Sequence, residues 1–495
     1  MILKSKVTEP WKASDYAKTI LQFLAHALVM VVLFFFAIVV NEGGFKAGIE
    51  SFYDSERLFN GLYIVLAVAF LLAMVYLYFY CEYRDFLKSG KNILMIFTVL
   101  ELSLIISFLV GKYLSVYARP ISLCALLILL TVNRRSAIIM NITFCLLMFM
   151  VDSYAGGSGV GKASYSTMII GLTTGMLAIY LISGVGSRIK VFFRGLYISI
   201  PVIICTLCME FSDPSKYLQL IIFGFTSGML SVVLMMSTLP FFEYAFNVVT
   251  DYRLSEITDH KSKLIRELMV KAPGTFNHSL TVSTLAESCA VAIGENPLLA
   301  RAAAYYHDIG KLKQPEYFTE NQTGYNPHNE LSPELSTDII KAHTRDGYDL
   351  IKKYHLPDIL ADVAREHHGT LPIKYFYAKA LKYTEGELDI ADFSYSGPRP
   401  RSKIAAIIMI CDGSEAAVRS LHDRSQEKVD QMVRMIIEER MDLEQFNECD
   451  LTMKDIDIIR STISQSLGGV YHDRIKYPKL KIGKNRGDGE KGENK

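Results

Sequence analysis

The sequence predicts an all-α protein in two unlike halves: a polytopic transmembrane helical bundle over residues 1–250 and an all-helical domain over 251–480. A polar tail follows at 481–495. Three observations carry this prediction. From about Thr19 to Thr250 the chain is a succession of long apolar runs. From Asp251 onward charged residues become frequent and apolar positions recur at helical spacing. Neither half contains a series of short, alternating, turn-bounded segments of the kind that builds a sheet.

A bilayer core takes about 20 apolar helical residues per crossing. On that measure eight spans are expected, at roughly 19–40, 58–80, 92–111, 116–132, 136–151, 166–186, 195–210 and 217–248. The fourth and fifth are short and separated only by Asn133, Arg134 and Arg135. They read either as two tightly joined spans or as a partly re-entrant pair. The first run is long and has no small-residue cleavage pattern before Asn41, so a retained helix is expected rather than a signal peptide.

Basic residues gather before the first span (Lys4, Lys6, Lys12, Lys18) and after the second (Arg84, Lys88, Lys91). They recur between the fourth and fifth (Arg134, Arg135) and after the sixth (Arg188, Lys190, Arg194). The alternate loops carry Glu42, Glu50, Asp54 and Glu56, or Glu210 and Asp213. The positive-inside bias then places the N-terminus in the cytoplasm. After eight crossings the second half lies there too, in a multi-pass protein of the cell membrane.

Glu101 is the main acid within a span. A lone intramembrane acid more often hydrogen-bonds inside its bundle than marks a conduction path. The glycines of 156–161 make an outside loop and not a phosphate loop, because no strand precedes them and no Gly-Lys-Ser/Thr follows. Cys205 and Cys208 form a CxxC inside an apolar stretch, where small helix- or lipid-facing residues are expected. A net charge of +1 gives no global attraction for a nucleic-acid polymer.

Beyond the boundary, residues 251–270 read as one amphipathic helix, followed by a turn at Ala272–Thr275 and renewed apolar periodicity from Leu280. Further helices are expected at about 297–308, 333–353, 357–368, 374–382, 402–422, 426–440 and 453–469. On them sits an ordered series: His278, His307-Asp308, His343, His367-His368 and Asp412. Imidazole and carboxylate are ligands for Mn, Fe, Zn and related divalent ions. Asp308, next to a ligating histidine, has two oxygens that can reach different ions. Two ions so held clamp a phosphodiester and acidify a water between them. Lys311, three residues on, is placed to meet a nonbridging phosphate oxygen as a point charge. His26, His260, His355 and His422 read as ordinary surface or satisfied core histidines. The charged ligands of Tyr306-His307-Asp308-Ile309-Gly310-Lys311, by contrast, follow directly on an apolar helix, where burial without a metal is costly.

These residues carry a resemblance. The second half resembles the HD phosphohydrolase superfamily. The chain as a whole resembles the bacterial seven-transmembrane, receptor-like HD proteins that hydrolyse cyclic di-AMP. The matching stretches are Ala272–Leu280, Tyr305–Lys311, Glu320-Asn321-Gln322, Asn326-Pro327-His328 and Leu335 through His343 to Gly347. They continue with Glu366–Thr370 through Tyr377, Gly397–Pro400, Asp412–Leu421 and Tyr471–Pro478. The resemblance implies one ion on His278, His307, Asp308 and Asp412, and a second on Asp308, His343, His367 and His368, with Asp308 bridging. It also implies iron or manganese as cofactor, a cyclic dinucleotide substrate opened to linear pApA, and the lipid bilayer as the other partner; homo-oligomerisation is left open. Related cyclic-di-GMP enzymes carry Gly-Tyr-Pro after their histidine pair; here Gly369-Thr370-Leu371-Pro372 follows, which favours adenine.

The sequence departs from the family at Asn277, where a histidine is common, at Asn329, where an aspartate is, and at 41–57, where a large extracytoplasmic domain usually stands. His328, in a proline-containing loop, reads as a loop-ordering or substrate-side residue. Alternatives that keep the same fold are an HD phosphohydrolase of another nucleotide or phosphate ester, and a membrane receptor that binds nucleotide without turnover.

Overall fold

The computed structural model describes residues 11–53, 55–155, 161–210, 214–383 and 387–470. Most of the glycine-rich loop 156–161, Asp54, Asp213, the Tyr471–Pro478 stretch and the tail from Lys481 lie outside the described residues. Among the described residues there is no strand, and one isolated antiparallel bridge joins Pro372 to Ser394.

The membrane half comprises α1 (Ala13–Asn41), α2 (Ser55–Glu82), α3 (Gly90–Tyr113), α4 (Leu123–Thr131), α5 (Arg134–Ala155), α6 (Lys162–Ile182), α7 (Arg188–Met209) and α8 (Tyr217–Ala245). Seven of these are long and apolar enough to cross a bilayer; α4 is not. At 9 residues it is about 14 Å long against a hydrocarbon core of about 30 Å. The fourth expected span is therefore corrected to a short helix preceded by non-helical chain.

Pro120 is the local reason: it lacks an N–H, and the residue before it is biased away from helical dihedrals. The bend is held from outside. Ser227 donates to the Arg119 carbonyl, and the Arg119 guanidinium makes a two-pronged ion pair with Asp152 (2.5 and 2.8 Å). This segment still runs from one face of the bundle to the other. Tyr117 bonds Glu210 beyond the end of α7 (2.5 Å), whereas Arg134 donates to Ser183 beyond the end of α6 (2.6 Å). Those two loops lie at opposite ends of the helical hairpin. Among the described residues seven helices are long and apolar enough to cross, and the Tyr117–Arg134 segment connects the two ends of that hairpin.

Within the bundle, Glu101 on α3 pairs with His26 on α1 (2.8 Å), and His26 stacks on Phe97. Between α1 and α2, residues 41–57 hold only a short helix, Phe45–Glu50, and a 3-10 turn.

The second half comprises α9 (Asp251–Ile257), α10 (Lys263–Lys271), α11 (Pro273–Ile293), α12 (Pro297–Tyr306), α13 (Pro333–Lys353), α14 (Asp358–Glu366), α15 (Lys374–Ala380), α16 (Lys403–Ser420), α17 (Gln426–Asp442) and α18 (Met453–Val470). Two expectations are corrected here. The single helix at 251–270 is broken, because Asp259 turns the chain by accepting from the Lys261 N–H through its side chain and from the Ser262 N–H through its carbonyl. The turn at 272–275 reduces to Ala272, since Pro273 occupies the first helical position, where its missing N–H costs nothing. The remaining helices fall where the periodicity puts them. Most of their apolar faces form one core, with Ala303, Tyr306, Ile309, Ala364, Ile407 and Ile459 among its fully buried members, while α15 packs Phe376 and Ala380 with Phe393 in a smaller cluster.

The halves are joined by a knot around Arg253 on α9. Its Nη1 donates to the carbonyls of Glu243 (2.7 Å) and Val248 (3.0 Å), at the end of α8 and just beyond it. Its Nη2 donates to the carbonyl of His355 (2.9 Å), in the loop between α13 and α14. His355 has φ of 53° and lays its ring against Tyr244 of α8.

Candidate metal centre

Five helices converge on one point. His278 lies in the second turn of α11, where Pro273 has fixed the helix start. His307 closes α12, and Asp308 begins a 3-10 turn, Ile309–Lys313. That turn lies flat on α13 because residue 310 is glycine: a Cβ there would strike the carbonyl oxygen of His343. His343 comes from the middle of α13, His367 and His368 from the end of α14, and Asp412 from α16.

The seven residues form two adjoining sets, His278–His307–Asp412 and Asp308–His343–His367–His368, each with ligand atoms within 4.8 Å of one another. Asp308 stands between them and splits its oxygens. Oδ2 is 3.4 Å from His307 Nε2 and 3.7 Å from His278 Nε2. Oδ1 is 3.4 Å from His343 Nε2 and 3.7 Å from His367 Nε2. Asp412 reaches across in the same manner, with Oδ1 2.9 Å from His278 and Oδ2 3.8 Å from His368 Nδ1.

Helix geometry sets the tautomers. The Nδ1–H groups of His307, His343 and His367 each donate to the carbonyl three residues earlier, at 2.6, 2.5 and 2.9 Å. A neutral ring bonded in this way presents the Nε2 lone pair. His343 Nε2 and His367 Nε2 face each other at 3.3 Å, with Asp308 Oδ1 beside both. Burial pushes His343 down to about 3, so its ring is neutral near pH 7. His307 Nε2 and both oxygens of Asp308 are buried without a hydrogen bond, although the Lys311 ammonium stands 2.7 Å from Oδ2. Converging, unprotonated acceptors of this kind call for cations, and the imidazole–carboxylate donor set suits first-row divalent ions.

Other groups tune the cluster. Burial opposes charge on Asp308, but Lys311 and the neighbouring histidines outweigh it and hold its carboxyl well below the ordinary range. For Asp412 burial is likewise outweighed, here by the hydrogen bond to His278 and by the neighbouring histidines. His278 differs from the other rings. Burial lowers it, yet Asp412 and Glu415 raise it further, to about 10.

Glu415 is a site residue that sequence reasoning missed. Its carboxylate accepts from His278 Nδ1 at 2.6 Å, which turns Nε2 toward the cluster. The signal for it was present, since Glu415 lies three residues, one helical turn, after Asp412. Glu320 was also missed. It accepts from Lys311 (2.9 Å) and from the Thr275 hydroxyl (3.1 Å), and so holds the lysine between two carboxylates. Tyr395 is half-buried and stacks on His368 with ring centroids 4.4 Å apart. Glu366, buried beside the ligating pair, accepts from Arg401 at 3.0 and 2.8 Å and ties α14 to the segment after Gly397–Pro400.

His328 falls outside both ligand sets. Its Nε2–H donates to the Tyr317 carbonyl (2.9 Å), and its ring lies against Phe376. His260, His355 and His422 are likewise outside both sets.

Comparison with known proteins follows the same division. Residues 58–250 match the family model described as a 7TM receptor with intracellular HD hydrolase, and residues 275–417 match the HD domain. The first interval starts after α1 and holds six of the long apolar helices plus α4, which makes seven. The chain is 36% identical to the cyclic-di-AMP phosphodiesterase PgpH of Bacillus subtilis, over 88% of its own length and 62% of that protein's. It is 40% identical to PgpH of Listeria monocytogenes, over 62% of this chain and 44% of that one. It therefore spans less than two thirds of the length of these relatives. The crystal structure of the Listeria PgpH HD domain in complex with cyclic-di-AMP is 48% identical and matches 43% of this chain and 99% of that one, with a TM-score of 0.41. With both models matched in this order along one helical chain, the protein is similar in both halves to the seven-transmembrane receptor-like proteins with an intracellular HD hydrolase domain.

Proposed function

We propose that the protein is a membrane-anchored phosphodiesterase that hydrolyses cyclic di-AMP to linear pApA on the cytoplasmic face, using two iron or manganese ions. The observation that carries this reading is the divided carboxylate of Asp308, one oxygen toward each histidine set. The substrate is that in the names of two relatives, the cyclic-di-AMP phosphodiesterases PgpH, and the linear product pApA is the one the family resemblance implies.

The residues divide the work. His278, His307 and Asp412 hold one ion, His343, His367 and His368 the other, and Asp308 belongs to both. Such a pair supplies a hydroxide at neutral pH and neutralises charge on the phosphoryl group. Lys311 offers an ammonium beside Asp308 for a nonbridging oxygen, held between Asp308 (2.7 Å) and Glu320 (2.9 Å). No nucleophilic side chain is required. His328, hydrogen-bonded to the backbone, orders the loop over the site and presents it to the nucleotide.

Residues 251–495, supplied with Mn or Fe, are expected to convert cyclic di-AMP to pApA, and Asp308→Ala to abolish conversion and bound metal together. A panel containing cyclic di-GMP and mononucleotide esters tests the adenine preference. Absence of cyclic-dinucleotide turnover in the parent, with Asp308→Ala indistinguishable from it, defeats the proposal.

A further inference from the structure

At the end of the bundle that meets the second half lies a cavity of about 660 Å³ that the metal centre does not use. Its walls are the ends of α2, α4, α6 and α8, the starts of α3 and α5, and the linker from Phe246 to Tyr252. Its volume falls in the range of small-molecule sites.

Its chemistry is that of an anion site. Arg134 and Arg135 both line it. Arg134 is engaged by a neutral partner, the Ser183 hydroxyl, with its guanidinium over Tyr180. Arg135 meets the exposed carboxylate of Glu82 at 3.3 Å through one nitrogen. A guanidinium has five N–H donors in a planar fork, so most of this capacity is left for a ligand. Between these arginines and α4, Asn133 caps α5 by accepting the Ser136 N–H (2.8 Å), and the positive end of that 22-residue helix faces the same space. Asn92, in the first turn of α3, adds an amide on another wall. Among the described residues that line the cavity, Asp251 is the one carboxylate.

We infer that this cavity binds a phosphate-bearing anion at the junction of the membrane bundle and the catalytic domain. The ligand chemistry is a phosphomonoester or phosphodiester gripped by the Arg134–Arg135 pair. A lipid headgroup and free phosphate are its two available sources. The inference is independent of the reaction at the metal centre.

The test uses the full chain in nanodiscs. In phosphatidylcholine discs, inorganic phosphate is titrated while thermal unfolding is followed. In parallel, phosphatidylglycerol is introduced, and retained lipid is counted by native mass spectrometry. One arm is expected to respond, which identifies the source. In that arm Arg134→Gln/Arg135→Gln should weaken binding about tenfold or more, the scale for losing charge-assisted hydrogen bonds. Asn133→Asp keeps the helix cap but adds a negative charge at the cavity wall, so it should weaken binding without impairing folding. Metal content should be unchanged in both variants. Equal binding by the parent and by Asn133→Asp, or no response in either arm, overturns the inference.

Discussion

Four of the five imidazoles of the centre are oriented by the atom behind them, and the partner is not the same in each case. His307, His343 and His367 are fixed by main-chain carbonyls, and burial lowers the pKa of His343. His278 is fixed by a carboxylate and in the apo protein carries a proton, having been raised to about 10. A ring whose folded pKa is raised gives up that proton when an ion arrives. Loading of the His278 set should therefore tighten about tenfold from pH 7 to pH 8. Loading of the His343 set should stay flat over that interval, because His343 remains neutral down to about 3. Site-resolved metal titration of the apo protein at the two pH values checks this. Glu415→Gln replaces the charged acceptor behind His278 and is expected to weaken that ion about 10–100-fold, the range for groups that orient a metal ligand. Equal losses at both sites would contradict the assignment. The ligands themselves could be read in sequence because metal chemistry restricts them to a few residue types in fixed order. Glu366 and Arg401 could not, since an ion pair formed across 35 residues has no periodic signature. The same holds for His26 and Glu101, which meet 75 residues apart and look unremarkable separately.

At the scale of elements, helical periodicity located the catalytic helices well, since each buries one continuous apolar face. It failed where polar side chains intervene in the backbone. The Asp259 turn breaks a pattern whose apolar spacing runs straight through it, and the Ser227 and Asp152 contacts that stabilise the Arg119 bend come from distant helices. The 3-10 turn at Ile309–Lys313 carries a further constraint, the close approach of Gly310 to the backbone of α13. Gly310→Ala should cost about 1–3 kcal/mol as an overpacked contact, read as a fall in the denaturation midpoint. It should also lower metal occupancy, because Asp308 and His343 are pushed apart. An unchanged midpoint would show that the turn relaxes freely.

For the whole molecule, the seven long apolar helices were legible from hydropathy, whereas the short α4 and the bend before it were not. The arrangement of passages predicts opposite exposure of two exposed lysines: Lys46 between α1 and α2, and Lys91 at the start of α3. In a cysteine-free background, Lys46→Cys should react with an impermeant maleimide on intact cells, and Lys91→Cys only after permeabilisation. The reverse pattern would invert the protein in the membrane and remove the second half from its substrate. The Arg253 knot has a mechanical corollary. Its guanidinium clasps the tip of the hairpin α13–α14, whose two arms bear His343, His367 and His368, while His278 and Asp412 ride on helices it does not touch. Through this one side chain the end of the final crossing is tied directly to the hairpin that carries His343, His367 and His368.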